Sequence, residues 1–234
     1  MVEQVNGKRV LVAGASSGIG RATAKALARE GAEVVLVARR EPELRALASE
    51  LGAARVVAVD LTDRAATFAA LGALPAIDVA IHAAGTNIPR RALAVLDPAD
   101  WDMMVATNLT AAYNLTHALL PGMRAAGGGL IVYVSSAAVQ RPDASGVAYQ
   151  ATKHGLVGLA HGAMQEEKAN GIRTTVLFPG LTDTPLVLKR PTPTPPEVMA
   201  KALQPEDVAA ACVFVASLPP RVHVPELVMV PAAL

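Results

Sequence analysis

The segment GLIVYVSSAAVQRPDASGVAYQATKHG, Gly129–Gly155, decides how the rest of the chain is read. Leu130–Val134 is a short, unbroken apolar run and reads as a buried strand. Ser136 follows it and so falls at the strand's carboxyl end, the edge where open α/β sheets gather their sites. Tyr149 and Lys153 are four residues apart. If Tyr149 opens a helix, the two side chains share one face, one turn apart. An ammonium beside a phenol favours the phenolate, so Lys153 is expected to lower the Tyr149 pKa from about 10. A phenol tuned in this way can serve as a general acid/base, with the Ser136 hydroxyl bonding the same substrate oxygen. Alone, the pair also fits a surface lysine beside a half-buried tyrosine.

The chain around this segment has 234 residues, enough for one α/β domain with a sizeable core. Apolar residues make up 52% of it and aromatic residues only 3%, so Ala, Val and Leu must build that core. The formal net charge is +1, with both signs interspersed and no basic tract, which argues against nucleic acid as a partner. The single Cys212 lies in VAAACVFVA and reads as buried filler. One cysteine excludes an internal disulfide and suits a reducing compartment. The opening MVEQVNGKRVLVAG has no apolar core with a cleavage site, and no uncharged apolar run is long enough to span a bilayer. A cytoplasmic protein with no membrane attachment and no metal site is expected.

Upstream, Val10–Ala13 reads as a first buried strand, followed by Gly14-Ala15-Ser16-Ser17-Gly18-Ile19-Gly20 and the helical pattern Arg21–Glu30. Strand, glycine turn and helix in that order bring backbone N–H groups and a positive helix end to one spot, where a pyrophosphate fits. The bland alternative is an ordinary strand–helix turn. The second strand, Glu33–Ala38, ends in Arg39-Arg40, where dinucleotide folds read the adenosine ribose. An acid there bonds a 2′-hydroxyl, whereas a guanidinium grips a 2′-phosphate. The pair therefore favours NADP over NAD, unless it is only the solvated entry to the helix that starts at Glu41-Pro42-Glu43.

Arg55–Val59 is a third strand, and Asp60 at its end is placed to accept a bond from an adenine amino group. Asp63 or Thr62 caps the helix running to Leu71. Ile77–His82 is a fourth strand, ending in Ala83-Ala84-Gly85, small residues that let a cofactor approach the backbone. His82 reads either as a catalytic base or as a hydrogen-bonded structural residue. Asp97-Pro98 starts one long helix, Ala99–Ala126, in which Asn108 and Asn114 need polar partners. Asn108 is either a structural bond or part of a proton path. After the Tyr149 helix come the strand Ile172–Phe178 and the loop Pro179–Thr184. The segment 185–196, PLVLKRPTPTPP, carries five prolines and reads as a loop beside the site, with 185–204 as a substrate lid. Arg141 and Lys189/Arg190 read either as groups that meet an acidic ligand or, the blander alternative, as solvated loop charges. Gln204–Leu218 is a last helix and Pro225–Val230 a last strand. Strands and helices alternate without repeats, which argues a parallel sheet with helices on both faces and a single domain over 1–234.

With these elements in this order, the chain resembles the short-chain dehydrogenase/reductase family over nearly its whole length. The resemblance is carried by Gly14, Gly18 and Gly20, by Asn108, by Ser136 thirteen residues before Tyr149, by Tyr149 with Lys153, and by Pro179-Gly180 with Thr184. It implies a single Rossmann-type, doubly wound parallel sheet of about seven strands. It implies an NADP-dependent oxidoreductase that interconverts a small-molecule carbonyl and alcohol by hydride transfer. Tyr149 would be the general acid/base, Ser136 would polarise the substrate oxygen, and Lys153 would bind the nicotinamide ribose and lower the Tyr149 pKa. Asn108 would hold a water linking Lys153 to solvent. Cofactor contacts would come from Gly14, Ser16, Ser17, Gly18, Ile19 and Gly20 at the phosphates, and from Arg39 and Arg40 at the 2′-phosphate. Asp60 and Leu61 would meet adenine, with Ala84 and Gly85 beside the cofactor. Pro179, Gly180, Thr182 and Thr184 would line the carboxamide and phosphate side. Such proteins pack as homodimers or homotetramers through the helices carrying Asn108 and Tyr149. The chain departs from the family pattern at His82-Ala83-Ala84-Gly85, where Asn-Asn-Ala-Gly is usual, and at Ser17, where NADP-dependent members often carry a basic residue. Its C-terminal end resembles a subgroup of NADP-dependent 3-hydroxy acid and related dehydrogenases. The competing reading is a catalytically silent NADP(H)-binding sensor or scaffold, which the intact Asn/Ser/Tyr/Lys set opposes.

Overall fold

In the computed structural model, which describes residues 5–233, each apolar run anticipated above becomes a strand of one parallel sheet. The strands are β1 (Arg9–Ala13), β2 (Glu33–Ala38), β3 (Arg55–Ala58), β4 (Val79–His82), β5 (Gly129–Val134), β6 (Ile172–Pro179) and β7 (Glu226–Met229). They lie in the order β3-β2-β1-β4-β5-β6-β7. The reading of Met1–Gln4 as free of a leader falls outside the described residues.

Parallel strands covered on both faces must be apolar on both faces, and β1 shows this. Leu11 and Ala13 enter one core, while Val10 and Val12 enter the other. The second core is closed by Ala24 and Leu27 of α1 (Gly18–Arg29), Leu44 and Leu47 of α2 (Glu41–Leu51), and Val208 and Cys212 of a C-terminal helix, Pro205–Ala216. Burial pushes the Cys212 thiol up to about 12, so it packs as a hydrocarbon would. The first core is closed by Leu71 of α3 (Arg64–Gly72) and by residues of two longer helices described next.

The expected single helix Ala99–Ala126 is corrected to three pieces. These are α4 (Pro98–Val105), a π-helical turn Ala106–Thr110, and α5 (Ala111–Ala125), which runs through Pro121. The turn carries Asn108, fully buried, and its amide is satisfied on both ends. Oδ1 accepts from Thr86 N at 2.7 Å, while Nδ2 donates to Thr86 O at 3.0 Å and Thr152 Oγ1 at 3.1 Å. A π-helical turn inside an α-helix commonly marks a functional position. Here it clamps the loop after β4. Asn114, six residues on, does the same for the loop after β3, donating to Leu61 O at 2.9 Å. The caps read from sequence are in place: Asp63 accepts from Ala66 N and Asp97 from Ala99 N.

The next helix, α6 (Val147–Glu167), carries Tyr149 and Lys153. Between β6 and the last helix the chain is less irregular than expected. It forms a 3-10 turn, Val187–Lys189, and a short helix, α7 (Pro196–Met199), before α8 (Pro205–Ala216). The base of this excursion is stitched. Asp183 N donates to Leu203 O and Leu203 N to Leu181 O, with a parallel bridge Thr182–Leu203.

Candidate active site

The chain runs outward from β1 through β2 to β3, then restarts on the other side of β1 with β4. At such a reversal the loops after neighbouring strands diverge and leave a crevice. The crevice holds a cleft of about 410 Å³ on the β1–β3 side and a cavity of about 210 Å³ on the β5–β6 side. Ile19, Thr184 and Leu186 line both, so the two spaces share a wall.

The cleft collects most of the residues expected to bind a nucleotide. Gly14, Ser16, Ser17, Gly18, Ile19, Arg39, Arg40, Asp60, Leu61, Ala84, Gly85 and Thr184 all line it. Gly14 (φ +83°) passes so close to β4's loop that an added Cβ would stand 2.7 Å from Ala84 N. Gly20 does not line the cleft. It lies beneath Gly14, where an added Cβ would stand 2.3 Å from Gly14 O, and lets α1 pack on the strand end. Ser17 makes no side-chain cap and the first turn of α1 holds no acid. An uncapped, acid-free helix start over a glycine turn is a donor set for a pyrophosphate. At the cleft's far end Arg40 donates to Ser16 Oγ at 3.0 Å and pairs with Glu43 at 3.1 Å, while Arg39 stands 3.7 Å from Asp60 Oδ2. Asp60 also accepts from the N–H and hydroxyl of Thr62. It is tied into its own loop and faces Arg39.

The cavity is lined by Ser136, Tyr149, Pro179, Gly180 and Thr182, with Thr184 on the shared wall. Ser136 caps a 3-10 turn, its Oγ accepting from Ala138 N at 3.2 Å. Tyr149 is buried among Met104, Ala148 and Leu186, and it shares the lining of this cavity with Ser136. Lys153 is buried behind it. Its ammonium donates to Val134 O at 2.9 Å and stands 5.7 Å from the centroid of the Tyr149 ring. Ser135 Oγ donates to Lys153 O and fixes α6 to the end of β5. Gly85 opens this buried cation toward the cleft: an added Cβ there would lie 3.3 Å from Lys153 Nζ and 3.4 Å from Asn108 Oδ1.

Two sequence expectations are corrected here. Lys153 was to lower the Tyr149 pKa, yet burial raises it, and the Ser136 hydroxyl offsets burial only in part. The ammonium is turned to a carbonyl and is itself pulled down to about 8 by burial. His82 is neither a catalytic base nor a hydrogen-bonded structural residue. It is fully buried, neither ring nitrogen has a partner among the described residues, and burial, with Lys153 nearby, holds it neutral with a pKa of about 3. Several lining residues were missed. Thr86 receives Lys189 Nζ at 2.7 Å across the mouth of the cleft, and Arg91 and Asn87 enter the cavity from the loop after β4.

The family model described as short chain dehydrogenase matches residues 8–193. The chain belongs to the short chain dehydrogenase family. The serine 3-dehydrogenase of Agrobacterium fabrum is 34% identical over 232 residues, 95% of this chain and 93% of that protein. The sulfoacetaldehyde reductase of Chromohalobacter salexigens is 33% identical, over 95% of this chain and 93% of its own. Among solved structures, the closed form of serine dehydrogenase complexed with NADP+ superposes with a TM-score of 0.87 at 31% identity, covering 94% of each chain. This chain is a dehydrogenase/reductase of that family, acting on CH–OH groups with NAD(P). Among the described residues no helix is long and apolar enough to cross a membrane, and no group of residues is arranged to hold a metal ion.

Proposed function

We propose that the protein is an NADP-preferring oxidoreductase that interconverts a small-molecule carbonyl and its alcohol, with Tyr149 as general acid/base. One observation carries this reading: Tyr149 and Ser136 line one small cavity, which shares its wall with the cleft at the glycine turn and Arg39-Arg40. Oxidation of NADPH in the presence of a panel of ketones, aldehydes and 3-oxo acids tests it. Binding of the coenzyme with turnover of no carbonyl would instead support the silent sensor.

The residues present fit the dinucleotide. The N–H groups at the start of α1, with Gly14, Ser16, Ser17, Gly18 and Ile19, hold the pyrophosphate, and Gly20 lets that turn close on the strand. Asp60 and Leu61 flank the adenine, and Ala84 and Gly85 bring the backbone close. Pro179, Gly180, Thr182 and Thr184 face the nicotinamide end. The bound coenzyme supplies hydride transfer, the step side chains cannot perform. Ser136 donates to the substrate oxygen, and Tyr149 gives it a proton on reduction or takes one on oxidation. Lys153 presents its ammonium below Gly85, where ribose hydroxyls pass. Asn108 is a positioning residue: it fixes Thr86 and Thr152 on either side of the lysine and keeps a water path to it in register. The segment 185–204 closes over the cavity as a lid through Leu186, which packs against the Tyr149 cluster. Partners are a small molecule and further copies of the chain, as a homodimer or homotetramer in the cytoplasm. Trp101, Met103 and Tyr113, on α4 and α5, offer exposed apolar surface for that packing.

The preference for NADP rests on Arg39 and Arg40, both exposed at the cleft end. With Ser17 neutral, they are the cations available for a 2′-phosphate, and the relative seen with NADP+ supports this reading. Charge-assisted bonds are worth about 1.5–3 kcal/mol each, so Arg40→Ala is expected to weaken NADPH binding about 10- to 100-fold and leave NADH within about threefold. Titration of both coenzymes into both proteins checks this. Equal affinity of the unaltered protein for NADH and NADPH would remove the assignment.

A further inference from the structure

The cavity at Tyr149 is lined by three arginines and one carboxylate. Arg91 enters from the loop after β4, Arg141 from the loop after β5, and Arg190 from the segment after β6, against one carboxylate, Asp143. That carboxylate is already engaged, accepting from Ser145 N at 2.9 Å and from the Ser145 hydroxyl. None of the three arginines forms an ion pair among the described residues. Arg190 donates to Thr194 Oγ1 at 3.0 Å, which orients it without neutralising it. Arg91 is built in rather than trailing in solvent. Its stem lies against Gly146 (φ +93°), where an added Cβ would stand 2.7 Å from Arg91 Cβ, and its Nε is sealed from solvent with no hydrogen-bond partner. Gly146 is the residue at which α6 begins, three before Tyr149.

Arg91 and Arg190 repel each other across this space, and both also act on the Tyr149 hydroxyl. Holding two like charges together in a partly desolvated cavity costs free energy, of which the one carboxylate acting on Arg91, Asp143, returns a part. An anion placed between them would return more, because a guanidinium grips a planar or tetrahedral oxyanion through paired N–H donors. The cavity is only about 210 Å³, so the acid group and the reacting carbon must be close together.

We propose that Arg91 and Arg190, with Arg141 at the rim, form an anion subsite. It selects carbonyl or alcohol substrates that carry a terminal acid group, carboxylate or sulfonate, within a few atoms of the reacting carbon. The inference rests on the carbonyl–alcohol reading above and deepens it by assigning the substrate class.

The test compares 3-oxobutanoate, its methyl ester and 2-oxoethanesulfonate as oxidants of NADPH, in the unaltered protein and in Arg91→Gln, Arg91→Lys and Arg190→Gln. The unaltered protein should prefer an acid over the ester by about 100-fold in kcat/KM, the size expected when a desolvated cationic site is left unpaired. Either acid meeting that preference supports the subsite, and which one does so distinguishes carboxylate from sulfonate. In Arg91→Gln and Arg190→Gln the preference should fall to about fivefold or less through KM, with part of it restored in Arg91→Lys. Arg190 lies on a surface segment, so its variant informs even if Arg91→Gln does not fold. Turnover of ester and acid at similar kcat/KM, or an unchanged preference in both variants, overturns the subsite while leaving the oxidoreductase reading intact. Turnover of no carbonyl at all overturns both.

Discussion

Replacing Tyr149 by Phe is expected to lower kcat about 1000-fold, within the range for loss of a positioned general acid/base, with coenzyme affinity changed by less than about threefold. The substitution removes one oxygen and leaves the ring in its contacts with Met104, Ala148 and Leu186, so the fold and the cleft persist. The pH dependence follows from the same burial. With the Tyr149 pKa raised, the phenol keeps its proton through neutral pH. Carbonyl reduction, which consumes that proton, should run on a plateau across neutral pH and fall only in the alkaline range. Alcohol oxidation, which needs the phenolate, should climb with pH over that range. Initial rates in both directions from pH 6 to 10, with coenzyme saturating, check the sign. A variant retaining a tenth of the activity, or an oxidation rate that falls as pH rises, would remove Tyr149 from the reaction.

Lys153→Met is expected to abolish turnover and yet make the coenzyme-free protein more stable. The buried ammonium has its pKa pulled down to about 8, against about 10.4 in an unfolded chain. That difference is a penalty of about 3 kcal/mol on the folded state wherever the lysine is charged in both states. Methionine fills a similar volume without the charge, but it leaves Val134 O without its donor, which returns about 1–2 kcal/mol of the gain. A net gain of about 1–2 kcal/mol corresponds to a rise in Tm of roughly 2–8 °C for a chain of this length. The sign check with pH is direct. Between about pH 8 and 10.4 the folded state binds fewer protons than the unfolded state, so unaltered protein gains stability as pH rises through that window. The advantage of the methionine variant should therefore be full at pH 7 and shrink toward pH 10. Urea unfolding of both proteins at pH 7, 8.5 and 10 measures it. A variant less stable than the parent at pH 7 would show that the lysine's contacts outweigh its desolvation.

Much of this was legible in the residues because it is local. Glu33–Ala38, Gly14–Gly20 and Asp97-Pro98 announce a strand, a glycine turn into a helix and a capped helix without help from distant parts of the chain. The spacing of Ser136, Tyr149 and Lys153 survives because one strand end and one helix fix all three. What was not legible depends on depth or on convergence. A pattern of helix formers cannot reveal the π-helical turn at Ala106–Thr110, since only the pull of Asn108 toward Thr86 and Thr152 distinguishes it. The direction of the Tyr149 pKa turns on how much water reaches the hydroxyl, a property of Leu186 and Met104 as much as of Lys153. Arg141 and Arg190 each stand in a polar loop, which fits a solvated charge as well as one that meets an acidic ligand, and Arg141 is indeed exposed; that they line one cavity with Arg91 is a fact about three loops, not one. The Arg90-Arg91 doublet in the loop that follows β4 was the available signal, since loops at that end of the strands face the crevice.

The stitch between Leu181–Asp183 and Leu203 has a consequence for how such a chain diversifies. A stretch tied at its two feet is an interchangeable part. Outside Thr184, Leu186 and Lys189, which touch the cleft, the Tyr149 cluster and Thr86, its length and lettering can drift while the sheet beneath and α8 beyond feel little, because closing a somewhat longer loop over fixed ends adds only a few tenths of a kcal/mol. Selection for a new metabolite can therefore act on one cassette, while the machinery that moves the electrons stays as it was.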